Sequence, residues 1–171
     1  MKKIFLSLVL ITLTLNASAQ EELAIATTPK HFIGLHAGYS TGHGLSYRYW
    51  PSKFGGEITA SPNFRKGGEH RVSVGLSFLY KLREHEKFTL YSYLGNSILS
   101  EKINVQVVNP NTGFTNEFKT TEEYNIGVGF GIKVNFWQNL DFNLQGGYAL
   151  YDLTNDLHSN FTTEIGLYYH F

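Results

Sequence analysis

The sequence contains no cysteine among its 171 residues. This absence excludes disulfide bridges and thiolate metal ligands, and it excludes a lipoprotein, whose anchor needs an acylated cysteine after the signal. The chain also has no net charge, because 14 basic residues balance 14 acidic ones, and such a balance argues against nucleic acid as a partner. Beyond Ala19 there is no apolar run of the roughly 20 residues that a membrane helix needs. If this chain enters a bilayer, it must therefore do so as a closed barrel.

The N-terminus has the pattern of a secretory signal. Lys2 and Lys3 precede an apolar run that is too short to span a membrane, and Ala17–Ala19 forms an A-x-A cleavage motif. We therefore expect residues 1–19 to be a signal peptide that directs export, and residues 20–171 to form one outer-membrane domain. Without the two signal lysines, 12 basic residues face 14 acidic ones, for a formal charge of −2.

The most regular pattern in the chain runs from Tyr124 to Phe136. Every even position is large and apolar or aromatic, and every odd position is glycine, asparagine or lysine. This period of two predicts a strand with two unlike faces, whereas a helix would carry the interior glycines at about 1 kcal/mol each. At about 3.3 Å per residue and a tilt of about 40°, the strand would cover roughly 33 Å along a membrane normal. Because the small face suits a narrow lumen, we expect the apolar face to contact lipid.

Shorter stretches of the same alternation bring the predicted number of strands to eight. The fifth strand begins near Lys87, but its register stays open between an even face with Phe88 and Leu90 and an odd face with Tyr91 and Tyr93. The other strands are His31–Tyr39, Leu45–Tyr49, Phe54–Ser61, Arg71–Lys81, Tyr124–Phe136 with Phe114–Glu123 leading into it, Leu140–Leu150 and Phe161–Phe171. The predicted connections are Ser40–Gly44, Pro51–Lys53, Pro62–Glu69, Arg83–Glu86, Trp137–Asn139 and Asp152–Asn160.

The lengths of these connections suggest an orientation. If both termini are periplasmic, with residues 20–31 as a lead-in, then the turns after the second, fourth and sixth strands are periplasmic, where such barrels keep them short. The longest excursion is a hairpin at residues 100–121, which then protrudes on the outer side. Aromatic side chains also cluster at strand ends, where membrane interfaces place them. They are Tyr49, Trp50, Phe54, Tyr80, Phe136, Trp137, Tyr169 and Phe171 at the periplasmic rim, and Tyr39, Tyr124 and Tyr148 near the outer rim.

The signal, the eight alternating strands and the aromatic last strand together resemble the small eight-stranded outer-membrane β-barrels of the OmpA and OmpX type. The strand Tyr124–Phe136 and the ending Ile165–Phe171 carry the resemblance most specifically. It implies an all-β, antiparallel, up-and-down transmembrane barrel in the cell outer membrane, in contact with outer-membrane lipids. Tyr169 and Phe171 look like the C-terminal signal that the outer-membrane assembly machinery reads in that family. The pattern implies no enzyme family and no cofactor, and we expect a monomer.

The predicted lumen contains charged side chains that form the candidate interior polar network. An eight-stranded interior is too narrow for a useful channel, so we expect these groups to pair with one another and with water. An ion path is the alternative. The residues are Arg48, Glu57, Arg71, Lys81, Lys133, Asp141 and Glu164, accompanied by His36 and His170.

A catalytic alternative comes from His158, Ser159 and Glu164. Outer-membrane lipid A deacylases are similar barrels with a His, Ser and Glu triad, in which one residue separates the histidine from the serine. Here the two are adjacent and would point to opposite faces of a strand, although catalysis needs them within about 3 Å. No histidine pair has metal-site spacing, and Gly127–Gly131 is a strand face rather than a phosphate loop. We expect no catalytic, cofactor or metal site.

The segment Lys102–Phe118 of the hairpin is the best candidate for a binding element. Its alternating valines and threonines could present an edge for strand addition to an extracellular protein partner, and an inert loop is the alternative. The sequence thus favours a non-enzymatic outer-membrane barrel with a structural or surface-binding role. The other hypotheses are a lipid A-modifying hydrolase and a soluble periplasmic ligand-binding barrel with inward-facing apolar side chains.

Overall fold

A computed structural model shows a closed barrel of eight antiparallel strands and describes residues 30–64, 68–109 and 113–171. Each strand pairs with the next in sequence, and β1 closes the ring against β8. The strands are β1 (His31–Ala37), β2 (His43–Tyr49), β3 (Phe54–Phe64), β4 (His70–Glu84), β5 (Phe88–Asn109), β6 (Gly113–Trp137), β7 (Leu140–Tyr151) and β8 (His158–His170). The all-β up-and-down barrel predicted from the sequence is confirmed. Within the described ranges, no helix is long and apolar enough to cross a membrane.

The predicted signal peptide and most of the predicted lead-in lie outside the described residues. His31, the last residue of that predicted lead-in, is the first residue of β1 and pairs with Tyr49 of β2. The two ends of the barrel are named here by what they carry. The terminal rim contains the start of β1, the end of β8 and the turns after β2, β4 and β6, and the hairpin rim contains the connections after β1, β3, β5 and β7.

Apolar side chains face out of the barrel and polar ones face in. Val128 and Phe130 are 55% and 66% exposed, whereas their neighbour Asn125 is 1% exposed. Burying one such apolar side chain would yield about 1.5–3 kcal/mol, so a barrel in water would not leave a belt of them outside. The alternative of a soluble barrel with an apolar interior does not fit this arrangement. The same exposed belt continues on other strands, with Leu35, Leu45, Ile58, Phe78, Leu94, Phe142, Ile165 and Leu167.

The structure settles the register of β5. Leu90 and Leu94 face outward, while Tyr91, Tyr93 and Leu99 are buried in the lumen. Sequence periodicity could not decide this, because both faces of the strand carry large residues. The consequence is that one sector of the lumen is filled by aromatic rings rather than by small residues.

Two predicted loop boundaries need correction. Pro62 was predicted to begin a loop, but it lies in β3 opposite Val72. β2 pairs with β3 only as far as Ala60, so beyond that residue β3 is an edge strand, where a missing N–H costs no ladder bond. The second correction concerns Ser40–Gly44, which was predicted to be an outer turn. β1 ends at Ala37, and the chain then turns into the lumen, where Ser40 and Thr41 are buried.

Trp50 was predicted to be an interfacial aromatic residue, and this prediction is wrong. It is 1% exposed and lies inside the barrel near the terminal rim, where its ring meets that of Tyr91 edge-on at 5.2 Å. Cation–π contacts stabilise this inward position, because Arg48 Cζ and Lys81 Nζ lie 5.5 and 5.3 Å from the ring centre. The other tryptophan, Trp137, is exposed as predicted.

Candidate functional site

The centre of the lumen contains an ion pair between Arg48 and Glu57. The two residues are cross-strand neighbours on β2 and β3, so their inward side chains meet directly. Arg48 donates from Nε to Glu57 Oε2 at 2.6 Å and places Nη2 at 2.5 Å from the same oxygen. Ser46 and Tyr168 also donate to Glu57, at 2.9 and 2.7 Å. Both charges are at most 2% exposed, so this pair fixes the register of the two strands at the cost of desolvating two ions.

Aromatic rings and an amide complete the surroundings of Arg48. Its guanidinium lies 4.5 Å from the ring centre of Tyr168 and 5.6 Å from that of Tyr91. With its amide oxygen turned towards the cation, Asn143 accepts from Arg48 Nη1 at 3.0 Å and from Tyr91 at 2.9 Å. Together with Trp50, these side chains form a packed layer across the barrel, named here the floor layer. The floor layer fills the lumen with protein rather than leaving an ion path.

Above the floor layer, Glu164 of β8 holds the connection between β1 and β2. Its Oε1 accepts from the backbone N–H of Ser40 at 2.9 Å and from the Ser40 hydroxyl at 2.7 Å, and its Oε2 accepts from Thr41 Oγ1. Ser97 and Asn125, on the opposite wall, donate to the carbonyl of Tyr39 at 2.6 and 3.4 Å. Residues 38–42 therefore lie across the lumen, and we name them the plug.

Three glycines on the lumen face provide the seat of the plug. A Cβ added at Gly75 would strike the Thr41 carbonyl, one at Gly127 would strike the Ser40 side chain, and one at Gly95 would lie 2.5 Å from Thr41 Cγ2. Sequence reasoning had attributed such glycines to a narrow lumen and missed the plug. Two sequence features together could have indicated the plug. Inward glycines lie on β4, β5 and β6, and the unusually short loop after β1 contains a serine and threonine pair.

His36 joins the plug to the floor layer. Its Nε2 lies 2.7 Å from Thr41 Oγ1, and its Nδ1 lies 3.0 Å from Tyr168 Oη and 3.5 Å from Glu57 Oε1. Hydroxyl, imidazole and carboxylate thus follow in the order that hydrolases use for a nucleophile and its base. However, His36, Thr41 and Glu57 are each at most 3% exposed, and a second carboxylate already holds the hydroxyl. This arrangement binds the plug and gives no substrate access to the hydroxyl.

A second charged cluster closes the terminal rim. Asp141 Oδ2 lies 2.7 Å from His170 Nδ1 and 3.9 Å from Lys133 Nζ, and Lys133 also lies over the ring of Phe32 at 4.8 Å. Of the remaining predicted interior residues, Lys81 pairs with Glu84 at 2.9 Å at this rim. Arg71 lies half-buried at the hairpin rim. The structure thus divides the predicted network into separate groups instead of one chain of charges.

The three candidate triad residues are not brought together. Glu164 faces the lumen and is bound to Ser40 and the plug, as described above. His158 is exposed at the hairpin rim, where it stacks on Tyr151 at 5.4 Å, and Ser159 is exposed beside it. In the described part of the chain, no group of three His, Asp or Glu side chains is placed to hold a metal ion.

The hairpin extends beyond both of its neighbouring strands. β4 pairs with β5 only as far as Lys102, and β7 pairs with β6 only from Ile126, whereas β5 and β6 stay paired up to Asn109 and Gly113. At about 3.3 Å per residue, the arm past Lys102 projects by roughly 23 Å. Both of its outer edges are therefore without a ladder partner over most of their length among the residues described.

The connection between β7 and β8 braces the base of this arm. Leu153 donates to the carbonyl of Tyr124 at 3.0 Å, and Asn155 donates to that of Glu122 at 3.0 Å. Asp152 organises the connection from a left-handed conformation with φ of 48°. Desolvation acts to raise the pKa of Asp152, but hydrogen bonds from Asn155 and its neighbours outweigh it and hold that pKa below its usual range.

Comparison with known proteins gives a likeness of fold alone. No family model and no curated protein matches the chain. The crystal structure of Neisserial surface protein A is 17% identical and has a TM-score of 0.44, covering 83% of this chain and 97% of that one. The structure of Ail, the attachment invasion locus protein of Yersinia pestis, is also 17% identical, with a TM-score of 0.42 and coverage of 83% and 99%. By its own strand pairing, this chain is a closed antiparallel barrel of eight strands.

Proposed function

We propose that this chain is an integral outer-membrane β-barrel without catalytic activity, which supports the envelope and presents its hairpin to the outside. The proposal rests on the placement of apolar side chains outside the barrel and charged side chains inside it, which is the reverse of their placement in a soluble protein. Phe130 and Leu167 belong to a continuous exposed apolar belt, while Arg48, Glu57 and Glu164 are buried within the ring. Only a surrounding apolar solvent makes that arrangement favourable.

Fractionation and gel mobility test the membrane assignment. Protein expressed with its first 19 residues should be recovered in the outer-membrane fraction, and detergent should be needed to extract it. Unheated, it should migrate differently from the boiled sample, because a closed barrel stays folded in detergent until it is heated. Recovery in the soluble fraction without detergent, or a single band at one mobility, would refute the assignment.

The hairpin is the proposed binding element, and strand addition is its proposed mode. Glu122 and Tyr124 direct their carbonyls away from β5, and Asn104 directs its N–H away from β6 to Glu69 at 3.2 Å. Because antiparallel strands alternate inward-bonded and outward-facing residues, the other even positions of the arm expose backbone groups in the same way. These outward positions on β6 are Asn116, Phe118 and Thr120. An extended segment of an extracellular protein could pair there.

A proline scan of this edge tests the mode of binding. Asn116→Pro combined with Thr120→Pro removes two outward N–H donors without breaking a bond inside the hairpin. The matched control, Asn116→Ala with Thr120→Ala, keeps the donors and removes the side chains. The probe is a surface-displayed library of extended hexapeptides. The wild-type and alanine barrels should retain peptides that the proline variant loses. Equal retention by all three, or by a barrel whose hairpin is replaced by a short turn, would contradict strand addition.

The catalytic alternative has a direct test. In cells that carry the barrel, lipid A acylation should be the same for the wild type and for His158→Ala with Ser159→Ala. The structure supports this expectation, because Glu164 is committed to Ser40 and Thr41 instead of facing His158. A change in acylation that depends on these two residues would overturn the non-enzymatic assignment.

A further inference from the structure

The plug is held differently from every strand around it. Its backbone is bridged by one bond, from the N–H of Gly38 to the carbonyl of Gly42 at 3.2 Å. Its other contacts are with side chains that reach it from the barrel wall, chiefly Glu164, Ser97 and Asn125. Segments held by a few polar contacts open more readily than ladder-bonded strands.

The end of the plug that leads into β2 is suited to a change of direction. Gly42 and Gly44 have φ values of 88° and 122°, in a region that other residues rarely adopt. The plug also leaves from the two shortest strands, since β1 and β2 have 7 residues each, so little wall stands between it and the hairpin rim. Ala37 pairs with His43 at the base of the plug, so a swing about that base would move residues 38–42 out of the lumen without breaking the β1–β2 ladder.

Glu164 contacts both the plug and His36 of β1. Its two oxygens accept from one backbone amide and two hydroxyls of the plug, and His36 Nε2 lies 3.5 Å away on the side of β1. A carboxylate that accepts several donors in a buried site is among the strong hydrogen-bonding arrangements in proteins. If the plug moved out of the lumen, the Glu164 carboxylate would lose these donors. Water could then reach the carboxylate and solvate its charge.

We propose that residues 38–42 are a hinged plug, latched into the lumen by the Glu164 carboxylate, and that its release opens the outer half of the barrel as a cup. The floor layer of Arg48, Tyr91 and Tyr168 stays in place below it, so release opens a cup and not a channel. The wall exposed by release is polar and small, with Ser97, Asn125 and the three seat glycines. This two-state element is independent of the hairpin and of its proposed partner.

Thiol accessibility tests the plug, since the chain has no cysteine of its own. Ser77→Cys places a reporter on the wall next to the seat glycine Gly95, at a position that is 2% exposed. In an otherwise wild-type barrel it should react slowly with a charged maleimide. Glu164→Ala should raise that rate by about tenfold or more, the factor expected when charge-assisted hydrogen bonds are lost.

A second variant expels the plug by a different route. A methyl at Gly75 would meet the backbone of Thr41 and Gly42, so Gly75→Ala should expose the Ser77→Cys reporter in the same way. Gly56→Ala is the matched control, because a Cβ there meets only the Ser77 carbonyl at 3.8 Å. Each barrel is checked by its gel mobility before labelling. If both Glu164→Ala and Gly75→Ala fold but leave the reporter as slow as in wild type, the proposal is overturned.

Amide exchange gives a measurement that needs no variant. In the wild-type barrel, the N–H of Ser40 is bound to Glu164 and should exchange slowly, but faster than amides of the β4–β5 ladder, because the plug opens on its own. Exchange as fast as that of the exposed Thr154 would show that the plug does not occupy the lumen. Exchange as slow as that of the ladder would show that it is not a hinged element. Either result contradicts the proposal.

Discussion

Replacing Glu57 with glutamine should destabilise the barrel far more than a similar change at its rim. The substitution preserves shape but leaves the Arg48 cation, which is 0% exposed, with aromatic rings and one amide as its remaining partners. Removing one member of a buried ion pair typically costs about 3–5 kcal/mol. We expect a loss within that range, because Arg48 keeps its contact with Tyr168 but cannot reach water.

The free energy of unfolding can be measured by urea titration in detergent micelles, with the folded fraction read from gel mobility. The rim control is Glu84→Gln, which breaks the more exposed pair with Lys81 and should cost about 1 kcal/mol or less. The double variant Arg48→Met with Glu57→Gln should lose less than the sum of the two single losses, because neither charge is then left unpaired. A loss below about 1 kcal/mol for Glu57→Gln would refute the view that this pair is dry and structural.

Further predictions concern the lipid face, the assembly signal, Trp50 and Asp152. Phe130→Arg should destabilise the barrel by about 2–4 kcal/mol in bilayers, measured by urea unfolding, and a loss near zero would place that face in water. Phe171→Ala should lower the amount of barrel assembled in cells but hardly change its unfolding midpoint in detergent, since this ring is 62% exposed. Trp137→Phe leaves the buried Trp50 as the only tryptophan, so iodide should quench its selectively excited emission poorly. Because the pKa of Asp152 is lowered, the connection after β7 should stay ordered at neutral pH. The protection factor of the Asn155 amide, which corrects for the intrinsic exchange rate at each pH, should fall only below about pH 4.

The outer surface of the barrel was accessible from the sequence, because alternation states which residues share a face. In β6, the even positions Val128 and Phe130 were assigned outward and the odd position Asn125 inward, and the structure agrees. The same reasoning left the register of β5 open, because large residues such as Leu90 and Tyr91 occupy both faces. Period two reports two unlike faces and is silent when both are bulky.

The contents of the lumen were much less accessible. Ion pairs such as Arg48 with Glu57 depend on the register between strands, which cannot be read from a single sequence. Trp50 was assigned to the interface because aromatic residues at strand ends usually lie there, yet two nearby cations hold it inside. The plug was missed for a related reason, since Ser40 and Thr41 have the composition of a turn and only the position of Glu164 across the barrel draws them in.

A spin-label scan along β6 can show whether its large apolar face touches acyl chains. Single cysteines at Ile126, Val128, Phe130 and Ile132 can each carry a nitroxide, with Thr154 as the reference exposed at the hairpin rim. In lipid bilayers, we expect the nitroxide at all four positions to collide often with oxygen and rarely with a water-soluble nickel complex. At Thr154 we expect the reverse. High nickel accessibility at Val128 and Phe130 would contradict the expected lipid contact, because those side chains would then face water.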